Sequence, residues 1–434
     1  MRLCVHPASE PLSGTVRPPG DKSVSHRAAL LGGLSAGRTQ IDGFLVAEDT
    51  LATLGAMATL GAQVQRDGER VVIESDGQLR APDHPLDLGN SGTGMRLLAG
   101  ALCGRPELQG ARVELVGDAS LSRRPMRRII EPLSAMGARI QSRDGCCPLI
   151  IEPAPLTGRH HRLAIASAQV KSALLLAGLS ASGRTCVSEP GQSRDHTERM
   201  LPAFGVQLTS GQGICVTGPV GLHAARVVVP GDLSSAAFLV AAALLVPGAR
   251  VRLTGVGVNP TRDGFLRALE RMAAGQLHVH VAPAAEGAEP VADLEVCATG
   301  RLRGMDFPAE WVPLAIDELP LLMALAAVAD GQTRIEGAAE LRVKESDRLS
   351  VMCKALRALG VDLDEHSDGA TLRGGRVRGG VVDSGGDHRI AMSLGVLALA
   401  ADAPIVIERA EWIRTSYPEF AEHLRSLGAA VEWS

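Results

Sequence analysis

One pattern recurs six times along this chain and limits its fold more than any other feature. A polar, glycine- or serine-rich start leads into an Ala/Leu helix and then, through a short glycine-containing turn, into a β-branched strand, at 20–41, 90–115, 167–187, 231–253, 317–335 and 386–407. A second piece follows each first one, at 48–65, 123–141, 194–209, 262–279, 344–363 and 418–433: an amphipathic helix, a glycine or a close variant just past its last turn, and a strand. Glycine in that place is the left-handed helix stop, and the alternating apolar residues after it read as half-buried strand. The first helix of each unit is apolar nearly all round and is expected to be buried. Units of this length, with two helices and several short strands each, predict an α/β fold rather than a solenoid of small elements.

At 434 residues the chain is too long for one ordinary core, and six units divide into two sets of three. ValArgProProGlyAspLysSer (16–23) is echoed by ValValProGlyAspLeuSer (228–234), a strand, a Pro-Gly turn and a helix start at the head of each set. The expected organisation is one lobe of residues 1–20 plus 231–434, with the N-terminal strand joined to the C-terminal three units, and a second lobe of 21–230. The chain then crosses between lobes twice, a two-strand hinge of the kind that closes on a ligand held in an interdomain cleft.

The polar residues that stand out collect at helix starts. In the first helices these are Lys22, Ser23 and Arg27, then Asn90, Ser91, Gly92, Thr93 and Arg96, then Ser167, Gln169 and Lys171, then Asp317 and Glu318, then Asp387, His388 and Arg389. The second helices add Arg123 and Arg124, Arg194, Asp195 and His196, and Lys344, Glu345 and Arg348. With Asp21 as cap, Ser23 and Arg27 are neighbours on one helical face. Cations at a helix N-terminus oppose its dipole by about 0.3–1 kcal/mol each. A set of them points to small anions such as phosphate and carboxylate, held by guanidinium forks and helix ends together. Lys344, Glu345 and Arg348, taken as one helical face, read either as an acid/base set or as a surface ion pair. Asp317 either caps its buried helix or takes a proton from a substrate hydroxyl, and His388 is a helix-start hydrogen bonder or a proton carrier.

Absences narrow the reading. There is neither GxxxxGK[ST] nor a GxGxxG after a strand, so nucleotide binding has no support. Ten aromatic residues (six Phe, three Trp, one Tyr) leave little for base stacking, and a net charge of −4 with local basic clusters suits a small anion rather than nucleic acid. The eight cysteines show no CxxC spacing and are expected to be small core residues, and His160 with His161 is expected at the surface, so no metal is called. No apolar run is long enough to span a membrane, and MetArgLeuCysValHisProAlaSerGlu does not read as a signal peptide, so a cytoplasmic chain is expected.

PGDKSVSHR, LGNSGTGMR, GDASLSRRPM, SAQVKSALLLAGL, SRDHTE, IDELP, RVKESDRL and GDHRIAM with the later TSYPEF run in order over essentially the whole chain. With them the chain resembles the enolpyruvyl transferase family, in the branch that acts on shikimate 3-phosphate. The resemblance implies a two-domain inside-out α/β barrel of six βαβαββ units, three per domain, working as a monomer with no cofactor. It implies transfer of the enolpyruvyl group of phosphoenolpyruvate to the 5-hydroxyl of shikimate 3-phosphate, by addition and elimination through a tetrahedral intermediate. By motif, Lys22, Ser23, Arg27, Ser167, Ala168, Gln169, Arg194, Asp317 and Lys344 are expected to hold shikimate 3-phosphate. Lys22, Gly92, Arg124, Gln169, Arg348 and Arg389 are expected around phosphoenolpyruvate. Asp317 is the expected base, with Glu345 and Lys22 moving the proton at the methylene carbon.

Two features set the chain apart from relatives. Many of them carry Lys where Thr415 stands, next to Arg414. The GDASLSRRPM form is similar to a glyphosate-tolerant branch that has Ala at the position of Gly92, so a glyphosate-sensitive site is expected here. The competing readings are the sister enzyme acting on UDP-N-acetylglucosamine, whose LysAsn and loop Cys are replaced here by Lys22-Ser23 and a loop without Cys, and a non-catalytic anion-binding relative.

Overall fold

The computed structural model describes residues 1–283 and 288–434. The chain forms two compact units, residues 20–229 with 288–289, and residues 1–19, 230–283 and 290–434. Each holds three sheets, every one built on one plan. In the first unit Leu86–Asp87 runs parallel to Val113–Val116, which pairs antiparallel with Cys146–Glu152, and that strand with Arg139–Arg143. His160–Arg162, Gly183–Ser188, Gly213–Gly218 and Leu208–Gly211 repeat the order. In the remaining sheet the parallel edge comes from the far end of the unit, where Leu222–His223 and Arg226–Val228 lie beside Ser35–Asp42.

The other unit completes itself with the first residues of the chain. Ser13–Val16 is the parallel edge beside Arg250–Gly257, and Arg2–Val5 sits between Ile405–Glu408 and Val431–Trp433. In the third sheet, Gln332–Ile335 with Gly369–Arg373 and Asp362–His366, the parallel edge shrinks to the bridges Arg303↔Asp330 and Asp306↔Arg334. In the four sheets whose parallel neighbours are close in sequence the step is a helical crossover, which is why those units place an Ala/Leu helix between the two strands.

Those helices form the interiors. Every residue of Leu233–Leu245 is buried, as is every residue of Lys22–Leu34 from Val24 onward. The second helices lie outside, and the glycine after each has a positive φ: Gly61, Gly137, Gly205, Gly275, Gly360 and Gly428, between 74° and 109°. Gly100 allows the closest packing. A Cβ there would come within 2.3 Å of the Ala173 carbonyl oxygen, so only glycine lets Gly92–Leu102 and Ala168–Gly178 lie backbone to backbone with their N-terminal side chains in reach of each other.

Two expectations about isolated residues are corrected. Cys186 and Cys215 face each other across neighbouring antiparallel strands, Cα to Cα 4.1 Å, and are joined as a disulfide rather than packed as separate core thiols. His160 is exposed but His161 is buried, and burial, with Arg159 and His160 nearby, holds its imidazole below the usual range. Among the described residues no helix is long and apolar enough to cross a membrane, and no group of His, Cys, Asp and Glu could hold a metal ion.

Candidate active site

In the unit of residues 20–229, three capped helix starts carry the polar set. Asp21 accepts the Val24 N–H (2.9 Å), Ser91 that of Gly94 (3.0 Å) and Ser167 that of Val170 (3.5 Å). Lys22 pairs with the buried carboxylate of Asp49, from the next helix. Arg27 is 3% exposed and donates through all three nitrogens, to Thr197 Oγ1 (2.7 Å), Ser172 Oγ (2.8 Å) and the Ser23 carbonyl (2.9 Å). Burial holds its guanidinium down at about 10, a cost that Glu198, Asp21 and Glu289 offset only in part and that Arg194 adds to. His26 locks the arrangement, with Nδ1 2.8 Å from Thr53 Oγ1 and Nε2 3.4 Å from Ser91 Oγ, and burial, then Lys22 and Arg27, keep its imidazole well below the usual range.

The second start meets the third because of the Gly100 contact. Arg96 donates to Gln169 Oε1 (2.6 Å), and Gln169 donates to Thr93 Oγ1 (2.8 Å). Arg124 donates to Asn90 Oδ1 (2.5 Å), and the amide nitrogen of Asn90, Nδ2, donates to Asp118 (2.7 Å). Gly92 lies at the meeting point: a Cβ there would stand 3.0 Å from Arg124 Nη1 and 3.1 Å from Arg96 Nη1. Gly92, Arg124 and Gln169 thus share one neighbourhood, and Arg96 joins them. Ala168 opens the third helix beside Ser167, and Arg194 lies partly exposed just before His196–Met200.

In the other unit the centre is Arg348, 1% exposed, whose three nitrogens reach Asp387 (2.8 Å), Asp317 (3.1 Å) and Glu345 (2.5 Å). Burial alone would lower its affinity for its proton, but Asp387, Glu345 and Asp317 together raise it above the ordinary guanidinium value. Lys344 Nζ lies 3.5 Å from the same Asp317 oxygen. Arg389 donates to the Asp317 carbonyl (3.2 Å) and lies 3.5 Å from Glu318 Oε1, and Glu318 also accepts from Ser234. Glu318, at the cap position of the helix Leu319–Ala326, does not cap it with its side chain. Ser234 in turn accepts from Arg262 (2.6 Å), which brings a cation to the one first-helix cluster that lacks a charged residue beyond its cap, Asp232.

The geometry amends the sequence reading at three points. Lys344 and Glu345 are not on one helical face with Arg348, because the helix begins at Arg348 and the two residues before Ser346 lie in the turn after Ala339–Val343. Several cations expected to await external anions have carboxylates of the chain beside them: Lys22 has Asp49, Lys171 has Glu189 and Glu198, and Arg348 has three. Thr415 is buried and donates to the Trp412 carbonyl (2.7 Å), while Arg414 is exposed. Asp49 and Glu189 carried no sequence signal of their own, and Ser193 and Thr197 stood in the motif SRDHTE with no role assigned, whereas Lys171, a lone charge inside an apolar helix, did stand out.

The family model for EPSP synthase (3-phosphoshikimate 1-carboxyvinyltransferase) matches residues 7–424. The chain is 49% identical over 429 residues to the 3-phosphoshikimate 1-carboxyvinyltransferase of Methylococcus capsulatus, covering 98% of this chain and 97% of the relative. It is 51% identical to the Halorhodospira halophila protein of the same name, covering 97% and 95%. A solved EPSP synthase structure from Acinetobacter baumannii superposes with a TM-score of 0.86 at 43% identity, over 100% of both chains.

Proposed function

The chain belongs to the EPSP synthase family, and from that membership we infer that it is a 3-phosphoshikimate 1-carboxyvinyltransferase of the shikimate pathway. It moves the carboxyvinyl group of phosphoenolpyruvate to the 5-hydroxyl of 3-phosphoshikimate and releases phosphate, a step toward the aromatic amino acids. The observation that carries this reading is Asp317, a largely buried carboxylate held by Arg348 and Lys344 (3.1 and 3.5 Å).

In the proposed mechanism Asp317 takes the proton of the 5-hydroxyl as its oxygen bonds to C2 of phosphoenolpyruvate. Glu345, helped by Lys22, protonates the methylene carbon, giving the tetrahedral intermediate. The reverse transfer from that carbon returns the proton to Glu345, and phosphate departs with the proton that Asp317 took, forming the enol ether, so acid and base exchange roles. Lys22, Ser23, Arg27, Ser167, Ala168, Gln169, Arg194 and Lys344 hold 3-phosphoshikimate, and Lys22, Gly92, Arg124, Gln169, Arg348 and Arg389 surround phosphoenolpyruvate. An anion brought beside Arg27 relieves the charge that burial penalises there. We take the chain to act as a monomer without nucleic acid, and in the cytoplasm, where phosphorylated substrates that do not cross membranes unaided are made and used.

Phosphate release from phosphoenolpyruvate tests the reading, with 3-phosphoshikimate and, in parallel, UDP-N-acetylglucosamine as acceptor. Release that requires 3-phosphoshikimate and disappears in Asp317→Ala is expected. Release with the nucleotide sugar alone would overturn it.

A further inference from the structure

Beneath the start of the helix Ala168–Gly178 lies a buried charge cluster that the proposed mechanism does not use. Glu189, its side chain 8% exposed, follows the strand Gly183–Ser188, and both its oxygens are engaged. Oε1 accepts the Ser167 backbone N–H (2.7 Å) and lies 2.8 Å from Ser193 Oγ, while Oε2 lies 2.7 Å from the same hydroxyl and 2.9 Å from Lys171 Nζ. Lys171, 7% exposed, also reaches Glu198 (2.8 Å) and the Ser193 carbonyl (3.4 Å). Glu198 has a second oxygen, Oε2, that is buried without a hydrogen-bond partner among the described residues.

A carboxylate and an ammonium out of water are costly unless paired and fully hydrogen-bonded. This pair meets both conditions by gripping two places. One is Ser167, the extended cap residue whose N–H lies outside the helix ladder. The other is Ser193, held by hydroxyl and carbonyl, one residue before Arg194. Among the described residues the Ser167 hydroxyl makes a long capping contact of 3.5 Å. Thr197, a few residues on, shares its hydroxyl with Arg27 and Ser172 (both 2.7 Å). Ser167, Arg194 and Arg27 therefore sit on a scaffold whose centre is Glu189.

We infer that Glu189, held by Lys171, is a positioning residue that presets Ser167 and the Ser193–Arg194 segment for the phosphate group of 3-phosphoshikimate. The inference rests on the reading that Ser167 and Arg194 meet that substrate. A carboxylate cannot touch the phosphate usefully itself. It acts by fixing a backbone N–H and a serine so that the neighbouring hydroxyl and guanidinium pay no ordering cost when the anion arrives.

The test compares the whole protein with Glu189→Ala, Glu189→Gln and Lys171→Met, using calorimetric binding of 3-phosphoshikimate and of shikimate, which lacks the phosphate, together with steady-state kinetics. In Glu189→Ala the Kd and KM for 3-phosphoshikimate rise about tenfold or more, while shikimate binding, KM for phosphoenolpyruvate and kcat stay within about threefold. Glu189→Gln, which keeps an acceptor for Ser167, recovers part of the loss, and Lys171→Met shows a smaller rise of the same sign. Equal weakening of shikimate and 3-phosphoshikimate, or a parallel loss for phosphoenolpyruvate, identifies a merely structural role and overturns the inference. So does an unchanged Kd in both Glu189 variants while the unaltered protein binds normally, and that result leaves the functional reading intact. Failure of the unaltered protein to bind 3-phosphoshikimate overturns the functional reading first, and the inference with it.

Discussion

Replacing Gly92 with alanine separates stability from anion binding. Gly92 is the first residue of its helix and its φ is not positive, so the backbone accepts alanine and the unfolded chain loses freedom, which favours folding by about 0.4–1 kcal/mol. The new methyl meets Arg124 Nη1 at 3.0 Å and Arg96 Nη1 at 3.1 Å, where ordinary contact begins at 3.4 Å, so each guanidinium must retreat by 0.3–0.4 Å. Arg124 is tethered through Nη2 to Asn90 (2.5 Å), so its retreat is expected at the cost of its hold on the anion, while Arg96 is bonded to Gln169 (2.6 Å) through the same Nη1 that the methyl meets. A charge-assisted hydrogen bond contributes about 1.5–3 kcal/mol, and losing about half of one raises KM for phosphoenolpyruvate about four- to twelvefold. The melting temperature stays the same or rises. Glyphosate, expected to compete with phosphoenolpyruvate in the unaltered protein, shows an inhibition constant raised by about tenfold or more, because the longer molecule has less room to shift. The assay is phosphate release at varied phosphoenolpyruvate and glyphosate, with a thermal melt of the same samples. An inhibition constant and KM both unchanged would refute the crowding argument.

Three further outcomes are expected. Asp317→Asn lowers kcat by about 10²–10⁴-fold while calorimetric binding of 3-phosphoshikimate persists, and a variant within threefold of the original rate would remove Asp317 as the base. His26 is neutral in the fold, so below about pH 6.5 the unfolded chain takes up a proton that the folded one refuses. That part of the stability is full above pH 6.5 and falls with acid by up to about 1.4 kcal/mol per unit. Urea melts at pH 7.5 and 5.5 should therefore show a smaller drop in His26→Asn than in the original, and equal drops would contradict the neutral assignment. Thiol counting on denatured protein purified without reductant should find six of the eight cysteines reactive, since Cys186 and Cys215 are paired, and eight would argue against the bond.

Local rules made parts of this molecule readable in advance. The Gly61 and Gly360 stops, the Asp21 cap and the all-round burial of Leu233–Leu245 depend on residues a few positions apart, which helix geometry fixes. The α/β class followed from the same repeats. The counter-charges were hidden because they lie across the fold: Asp49 is 27 residues from Lys22, Asp387 is 39 from Arg348, and spacing rules see only third and fourth neighbours. Lys344 and Glu345 were misplaced by extending a helical period through residues that form a turn. The disulfide needed strand register, which two cysteines 29 apart do not announce. Gln169 beside Arg96 depended on Gly100, a close approach that becomes visible only when two helices are set against each other.

Arg2–Val5 is an inner strand of its sheet, yet both its neighbours, Ile405–Glu408 and Val431–Trp433, are the last strands of the chain. During synthesis Arg2–Val5 therefore has no partners until Ile405–Glu408 and Val431–Trp433 appear, roughly 20–80 s later at about 5–20 residues per second. Residues 20–229, whose sheets draw only on that stretch, are complete long before those strands are made. The nascent chain thus carries a finished unit and a waiting apolar segment, Leu3 and Val5 among it, for much of its translation. That interval is when a chaperone has most to shield, and it makes Ile405–Glu408 and Val431–Trp433 the strands on which the unit that holds Arg348 closes.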